Sequence, residues 1–283
     1  MTLDRALADR IETALGRRPV GDQPLSGGCI ADIRRVDLDG GVTVVVKFGG
    51  DLATEAYMLR YLAAHSALPL PAVLHAEDDL LVLDFVETGG ALDTGAERHA
   101  ADLLAELHGI TADRFGHERD TLIGPLPQPN PWSESWRTFF RDHRLLYMGG
   151  LARDAGRLPA AVFARLERFC ARLGDWIDEP VRPSLIHGDL WGGNVLVRDG
   201  RIAAFVDPAI YHADPEIELA FTTLFSTFGR AFFDRYAEHR PIAPGFFDDR
   251  RDIYNLYPLL VHARLFGGGY AAQADRILAR FVG

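Results

Sequence analysis

The sequence predicts a two-lobed α+β fold, with a small N-terminal lobe built on an antiparallel sheet and a larger, mainly helical C-terminal lobe. A strong hairpin pattern lies near residue 40, helical patterns dominate after residue 90, and the segment Thr88-Gly89-Gly90 separates the two regions. The expected lobes are therefore residues 1–87 and 88–283. With 283 residues, the chain is long enough for each lobe to bury its own core.

In the N-terminal lobe, apolar residues recur at helical spacing over residues 3–15, which predicts a first helix. Apolar segments at Ile33–Leu38 and Val42–Phe48 flank Asp39-Gly40-Gly41, a sequence typical of a hairpin turn. The remaining elements of this lobe are one crossing helix and two short strands, at Glu55–Ala64, Ala72–His75 and Leu80–Phe85.

The C-terminal lobe is predicted to hold six long helices. A second hairpin, Asn194–Val197 with Ile202–Val206, should turn at Asp199-Gly200. The Pro-rich stretch Pro125–Pro131 is expected to be an irregular loop. The predicted helices are Glu97–His108, Ser133–Tyr147, Pro159–Leu173, Glu216–Phe228, Asp248–Phe266 and Tyr270–Phe281.

Composition narrows the classes of function and partner. The net charge of −10 argues against nucleic acid or an anionic membrane as the main partner. Two cysteines are too few for a secreted disulfide scaffold, and no apolar run is long enough for a signal peptide or a membrane span, so a cytoplasmic protein is expected. Arginine accounts for 29 of the 30 basic residues, and Lys47 is the only lysine. This bias is either an accident of composition or the mark of a site that needs an ammonium.

The segment His187-Gly188-Asp189-Leu190-Trp191-Gly192-Gly193-Asn194 carries the strongest chemical pattern. Asn194 follows Asp189 by five positions, and Asp207 follows Asn194 by thirteen, across the predicted hairpin. Amide and carboxylate oxygens suit Mg²⁺, and Asp189 could accept a proton from a hydroxyl. Each residue alone is more often a turn cap or a strand end. Their joint order matches the catalytic loop and metal-binding Asp of protein kinases.

Three further features of that kinase pattern occur in the right order. Ser26-Gly27-Gly28 is a Gly-rich turn before the first hairpin strand, Lys47 ends an apolar strand, and Glu55 lies eight residues later in a helical pattern. A Lys–Glu pair of this kind holds the ammonium against the α- and β-phosphates of ATP. The chain has no Walker A motif, so it is not a P-loop NTPase.

In detail the sequence resembles the fructosamine kinase (ketosamine-3-kinase) family, relatives of the aminoglycoside phosphotransferases. The resemblance extends over nearly the whole chain from about residue 20. It is carried by HGDLWGGN at 187–194, Asp207-Pro208-Ala209, Phe115-Gly116, Ile123-Gly124, Gln128, Asn130, Trp136, Phe139, Leu104–His108, Tyr254–Leu260, Phe266-Gly267 and Tyr270.

The resemblance implies an ATP- and Mg²⁺-dependent kinase that phosphorylates the sugar 3-hydroxyl of ketosamines, whether small or protein-bound. Asp189 would be the base. ATP would be held by Gly27, Gly28, Lys47, Glu55 and the backbone of Asp84-Phe85, and Mg²⁺ by Asn194 and Asp207.

Four other residues have two interpretations each. Trp191 packs in the core or forms a wall for the sugar, and His187 orients the turn or contacts the substrate. Cys29 is a small tolerated residue, or it forms the redox-linked disulfide between two chains that the family sometimes uses. Glu218 stands where the family usually has an aspartate thought to brace the catalytic loop, and a longer acid could do the same.

Two alternatives remain open on the same fold. One is a phosphotransferase for another metabolite or an aminoglycoside, and the other is a non-catalytic nucleotide-binding module. HGDLWGGN and the Gln128, Asn130 and Trp136 pattern favour a ketosamine. Retention of Lys47 together with all four candidate acidic and amide groups argues against the module.

Overall fold

The N-terminal lobe is a five-stranded antiparallel sheet of order β1-β2-β3-β5-β4, with one helix on each face. The computed structural model describes residues 3–25, 32–180 and 182–283. The elements of this lobe are α1 Arg5–Leu15, β1 Pro19–Pro24, β2 Asp32–Leu38, β3 Val42–Phe48, α2 Leu52–His65, β4 Val73–Ala76 and β5 Leu80–Asp84.

Side-chain alternation along β3 decides which residue faces which helix. Val44 and Val46 are fully buried and pack with Leu7 and Ile11 of α1. Because successive side chains of a strand point to opposite faces, Lys47 lies on the other face. That face is covered by α2.

Helix α2 contributes to two cores. It begins after Asp51, whose side chain accepts the N–H of Thr54 at 3.1 Å as an N-cap. Leu52, Ala56 and Leu59 pack with the sheet. Two other α2 side chains, Met58 and Leu62, belong to the large core of the C-terminal lobe. The helix is thus wedged between the lobes, and the boundary at 87/88 stays a prediction.

The C-terminal lobe is mainly helical, with three small two-stranded sheets. Its helices are α3 Thr94–Leu107, α4 Trp136–Phe140, α5 Tyr147–Asp154, α6 Ala160–Cys170, α7 Glu216–Leu224, α8 Arg230–His239, α9 Arg251–Phe266 and α10 Tyr270–Val282. π-helical turns at Arg141–Leu146 and Phe246–Arg250 lead into α5 and α9. The strand pairs are β6 Thr121–Ile123 with β7 Leu126–Gln128, β8 Ser184–Ile186 with β11 Tyr211–Ala213, and β9 Val195–Arg198 with β10 Arg201–Phe205.

The predicted architecture is confirmed, and several local predictions are wrong or incomplete. Strand β1 is absent from the sequence prediction, and the predicted helix Ser133–Tyr147 is α4, a π-helical turn and the start of α5. Pro125–Pro131 is not wholly irregular, because Leu126–Gln128 pairs with β6 as strand β7; the ring of Pro127 is exposed there and takes no part in the core. Helix α8 is absent from the sequence prediction. It lies in a charged stretch where only Phe232 and Tyr236 are buried, so its apolar face is too narrow for a clear periodic pattern. Among the described helices, none is long and apolar enough to cross a membrane.

Candidate active site

Lys47 links three elements of the structure. Its Nζ donates to Glu55 Oε1 of α2 at 2.7 Å and also contacts Asp207 Oδ1, just beyond β10. The side chain is only 7 % exposed. Burial alone would lower the pKa of Lys47, but the two carboxylates outweigh burial and raise that pKa. An ammonium has three N–H donors, so one remains for a phosphate oxygen.

Asn194 is hydrogen-bonded to Asp189 within residues 187–194, the candidate catalytic loop. The Asn194 side-chain amide donates to the Asp189 carbonyl at 2.8 Å and to its Oδ2 at 3.0 Å. Burial and the nearby charge of Asp207 raise the pKa of Asp189 to about 7, although the Asn194 hydrogen bond opposes them. A carboxyl with a pKa near neutral is suited to accept a proton from a hydroxyl.

The same hydrogen bonds decide which atom of Asn194 could bind a metal. Because its amide nitrogen is used on Asp189, its Oδ1 is the atom left to act as a ligand. Asp207 adopts φ 54°, a left-handed conformation that is rare outside glycine, and its side chain is 33 % exposed. No group of three or more acidic, His or Cys side chains in the described ranges could hold a metal alone. Two hard oxygen donors fit Mg²⁺, which usually takes its other ligands from phosphates and water.

The loop that carries Asp189 and the loop that carries Asp207 have their backbones in contact at Gly188. This residue has φ +87°, and a Cβ there would lie 2.0 Å from the carbonyl oxygen of Ala209. The amide of Ala209 donates to the carbonyl of His187 at 2.7 Å. Only glycine allows this approach, so the His-Gly-Asp pattern has a packing reason as well as a chemical one.

Glu218 of α7 braces the catalytic loop. Its Oε1 accepts the N–H of Gly188 at 2.6 Å, and its Oε2 accepts from His108 Nε2 at 2.8 Å. His108 Nδ1 in turn lies 2.7 Å from the hydroxyl of Tyr236 on α8. Burial would raise the pKa of Glu218, but the His108 hydrogen bond and charge lower it. The longer acid therefore makes the bracing contact that the sequence left open.

His187 is fully buried. Its Nδ1 accepts the backbone N–H of Asp189 in a long 3.4 Å contact, and its ring packs near Phe205. These contacts favour the role of orienting the turn, and a contact between His187 and the substrate stays a prediction.

Trp191 is half-buried beside an aromatic patch. Its ring meets Phe225 edge-on at 6.2 Å, and Phe225 lies 5.0 Å from the ring of His262. A Cβ on Gly193 would lie 2.4 Å from the Trp191 ring, which explains why a glycine stands there. His262 Nδ1 lies 2.7 Å from the Pro258 carbonyl, to which it donates, so its Nε2 is left as an acceptor. Sequence analysis missed Phe225 and His262, because neither lies in a motif.

A cavity of about 20 Å³ lies between Asp189 and His262. It has room for about one water molecule and is too small for a sugar. The surface formed by Trp191, Phe225 and His262 therefore offers the larger face on which a substrate could rest.

Of the remaining residues predicted to bind ATP, Asp84 and Phe85 lie within the described part of the chain. The Asp84 amide donates to the Ala72 carbonyl at 3.0 Å, and its carboxylate accepts the Ala72 N–H. Its amide is therefore not available to adenine. Phe85 follows β5 and packs under the guanidinium of Arg35 at 4.9 Å, and its backbone role stays a prediction. Gly27, Gly28 and Cys29 lie outside the described residues, so the phosphate-covering turn and the disulfide through Cys29 also stay predictions.

The fructosamine kinase family model matches residues 4–283. The chain belongs to the fructosamine kinase family. A Synechocystis protein named probable ketoamine kinase is 37% identical over 266 residues, which cover 90% of this chain and 88% of that protein. A chloroplastic protein-ribulosamine 3-kinase of Arabidopsis thaliana is 32% identical over 231 residues, covering 81% and 68%. A candidate fructosamine-3-kinase crystal structure from Thermobifida fusca has TM-score 0.86 at 30% identity and covers 98% of this chain and 100% of that chain.

More distant structures share the fold. The aminoglycoside phosphotransferase APH(4)-Ia, solved with ADP and hygromycin B, has TM-score 0.70 at 19% identity, covering 98% of this chain and 99% of that chain. The structural neighbours confirm the protein-kinase-like fold. The family match and the curated relatives confirm the prediction of a kinase. Membership of a kinase family implies ATP as the phosphoryl donor.

Proposed function

We propose that this fructosamine kinase transfers the γ-phosphoryl group of MgATP to the 3-hydroxyl of a ketosamine, a reaction suited to the repair of glycated amines. The observation that carries the proposal is the convergence of Lys47, Glu55, Asp189, Asn194 and Asp207 on one site in a chain of this family. Relatives named ketoamine kinase and protein-ribulosamine 3-kinase support the acceptor class.

Asp189 receives the acceptor proton in this reaction. The acceptor oxygen forms its bond to the γ-phosphorus while the bond from that phosphorus to the bridging oxygen of ADP breaks, and the hydroxyl proton passes to the carboxylate. Asn194 keeps Asp189 oriented through its amide, at 3.0 Å. The raised pKa of Asp189 makes it a better proton acceptor than an exposed aspartate.

Lys47 holds the phosphates, and Asn194 with Asp207 would hold Mg²⁺. A bound magnesium ion neutralises charge on the β- and γ-phosphates. The rest of the rate enhancement comes from positioning, since phosphoryl transfer needs little covalent chemistry from the protein. Asp207 contacts Lys47 and would also be a ligand of the ion, so it would align the lysine with the metal.

The acceptor would rest against Trp191 and the neighbouring aromatic patch. Ring faces pack well on the C–H faces of sugars, and the free Nε2 of His262 can accept a hydrogen bond from a hydroxyl or an ammonium. Trp191 packs against Phe225, which directly follows α7.

A panel of acceptors tests the proposal. Free fructosyl amino acids, ribulosamines, glycated protein and aminoglycosides are assayed for ATP-dependent phosphorylation, and the product position is found by NMR. We expect phosphate on the ketosamine 3-oxygen, loss of turnover on chelation of Mg²⁺, and no turnover by Asp189→Asn. Phosphorylation of aminoglycosides alone would refute the acceptor. Tight ATP binding without turnover on any acceptor would refute catalysis and favour a nucleotide-binding module.

A further inference from the structure

A polar contact fastens α2 to the C-terminal lobe two residues after Glu55. The hydroxyl of Tyr57 donates to Glu118 Oε1 at 2.6 Å and lies 2.8 Å from His117 Nε2. Since the carboxylate takes the hydroxyl proton, the His117 Nε2–H donates to the Tyr57 oxygen. Burial lowers the pKa of His117 to about 4, which keeps the imidazole neutral in this arrangement.

Aromatic and cationic groups enclose the contact. The ring of Tyr61, one turn along α2, meets His117 edge-on at 4.6 Å. The guanidinium of Arg119 lies over the Tyr57 ring at 4.4 Å. Packing of this kind restricts rotation of the tyrosine, so the hydroxyl is held where the two hydrogen bonds form.

On the C-terminal-lobe side, the segment that contains His117 is hydrogen-bonded to strand β11, which follows Asp207 in the chain. Gly116, next to His117, exchanges two backbone hydrogen bonds with His212 of β11, at 3.0 and 2.8 Å. Strand β11 begins four residues after Asp207. The two carboxylates that hold Lys47 are therefore joined by a second route, from Glu55 through Tyr57 and residues 116–118 to β11.

This second connection between Glu55 and Asp207 matters because the lysine–glutamate pair must be in place for phosphoryl transfer. Movement of the corresponding helix is a usual point of control in protein kinases. We propose that Tyr57 is a positioning residue that, through residues 116–118 and β11, fixes Glu55 and Asp207 around Lys47. Helix α2 is thereby held in the active arrangement by the fold itself. The inference rests on the proposed kinase function but not on the identity of the acceptor.

The test uses Lys47 as its own probe. Because Lys47 is the only lysine, an amine-reactive acyl phosphate of ATP can label one side chain, which is read by peptide mass spectrometry. Tyr57→Phe removes the hydroxyl and keeps the ring. We expect it to lower both the labelling rate and kcat/KM for ATP about tenfold, equivalent to about 1.4 kcal/mol, with the KM of the acceptor unchanged.

Tyr61→Phe is the matched control, since the Tyr61 hydroxyl has no hydrogen-bond partner within the described ranges; it should behave as wild type. Glu118→Ala removes the carboxylate partner of Tyr57 from an exposed position, so it should also lower the labelling rate and kcat/KM for ATP. This second variant keeps the test decisive if Tyr57→Phe does not fold. The proposal would be overturned if Tyr57→Phe folds and shows unchanged labelling and kinetics, even with a lower Tm. Where only Glu118→Ala folds, wild-type labelling in that variant would overturn it. Efficient labelling of wild type without turnover on any ketosamine would refute only the proposed acceptor.

Discussion

Replacing Lys47 by arginine keeps the positive charge but loses the single nitrogen atom that contacts both carboxylates. The ammonium is a compact head whose Nζ reaches Glu55 at 2.7 Å and Asp207 from one point, in a side chain that is 7 % exposed. A guanidinium is wider and planar, and its donors diverge. In the space between α2 and the end of β10 it cannot serve both carboxylates and a phosphate at once.

The size of the effect follows from the hydrogen bonds that arginine cannot make. A hydrogen bond to a charged group contributes about 1.5–3 kcal/mol, so the absence of one bond to a carboxylate and one to a phosphate costs at least about 3 kcal/mol. This is a fall of at least about a hundredfold in kcat/KM for ATP. The assay is steady-state kinetics with ATP varied, beside a thermal melt to show that Lys47→Arg folds.

Arg10→Lys is the matched control. Arg10 also bridges two carboxylates, Glu77 at 2.5 Å and Asp79 at 2.6 Å, but it lies exposed on α1 away from the catalytic loop. The reverse exchange there should leave kcat/KM within about twofold, because exposed ion pairs contribute little. A folded Lys47→Arg protein with near-normal kcat/KM for ATP would refute the reasoning and make the single lysine a compositional accident.

Three further perturbations probe the site and its supports. Trp191→Ala should raise the KM of the acceptor far more than that of ATP, and equal increases would contradict a sugar wall. Glu218→Gln should lower the urea midpoint at pH 7. The folded-state pKa of Glu218 lies below its ordinary 4.5, so the stability from its ionised form is present above pH 4.5 and lost as the pH falls through the folded-state pKa. The difference in urea midpoint between the two proteins should therefore narrow as the pH is lowered stepwise from 7 to below 4.5. Incubating the folded protein with ribose should leave Lys47 unglycated in peptide mass spectra, since this only lysine is buried and held by two carboxylates.

The sequence predicts which candidate site residues lie close together because their spacing is local. Lys47 and Glu55 are eight residues apart, and alternation along β3 already places the lysine toward the helix that follows. Asp189, Asn194 and Asp207 lie on one loop and one hairpin, so turn geometry is enough to bring them together.

The supports of the site could not be predicted in the same way. Glu218 contacts His108 across 110 residues, and His108 contacts Tyr236 across 128. The contact between Tyr57 and His117 spans 60 residues. None of these pairs has a periodic or motif pattern of its own, because each arises only where packed elements meet. The burial of His187 could not be predicted for the same reason, since the sequence does not show how deeply a histidine two residues before Asp189 is buried.

Close like charges and a strained backbone make the candidate site unfavourable in free energy, and the surrounding fold offsets this cost. Two carboxylates share the Lys47 ammonium, the charge of Asp207 also acts on Asp189, and Asp207 adopts a left-handed backbone conformation. Like charges and strained backbone persist only where neighbouring structure determines them. Here that structure is the close approach of Gly188 to Ala209, the buried brace from Glu218, and a helix α2 packed into both cores. In the proposed reaction a divalent cation and the acceptor proton would stabilise this excess negative charge, so the arrangement would cost most in the free protein and least in the reacting complex.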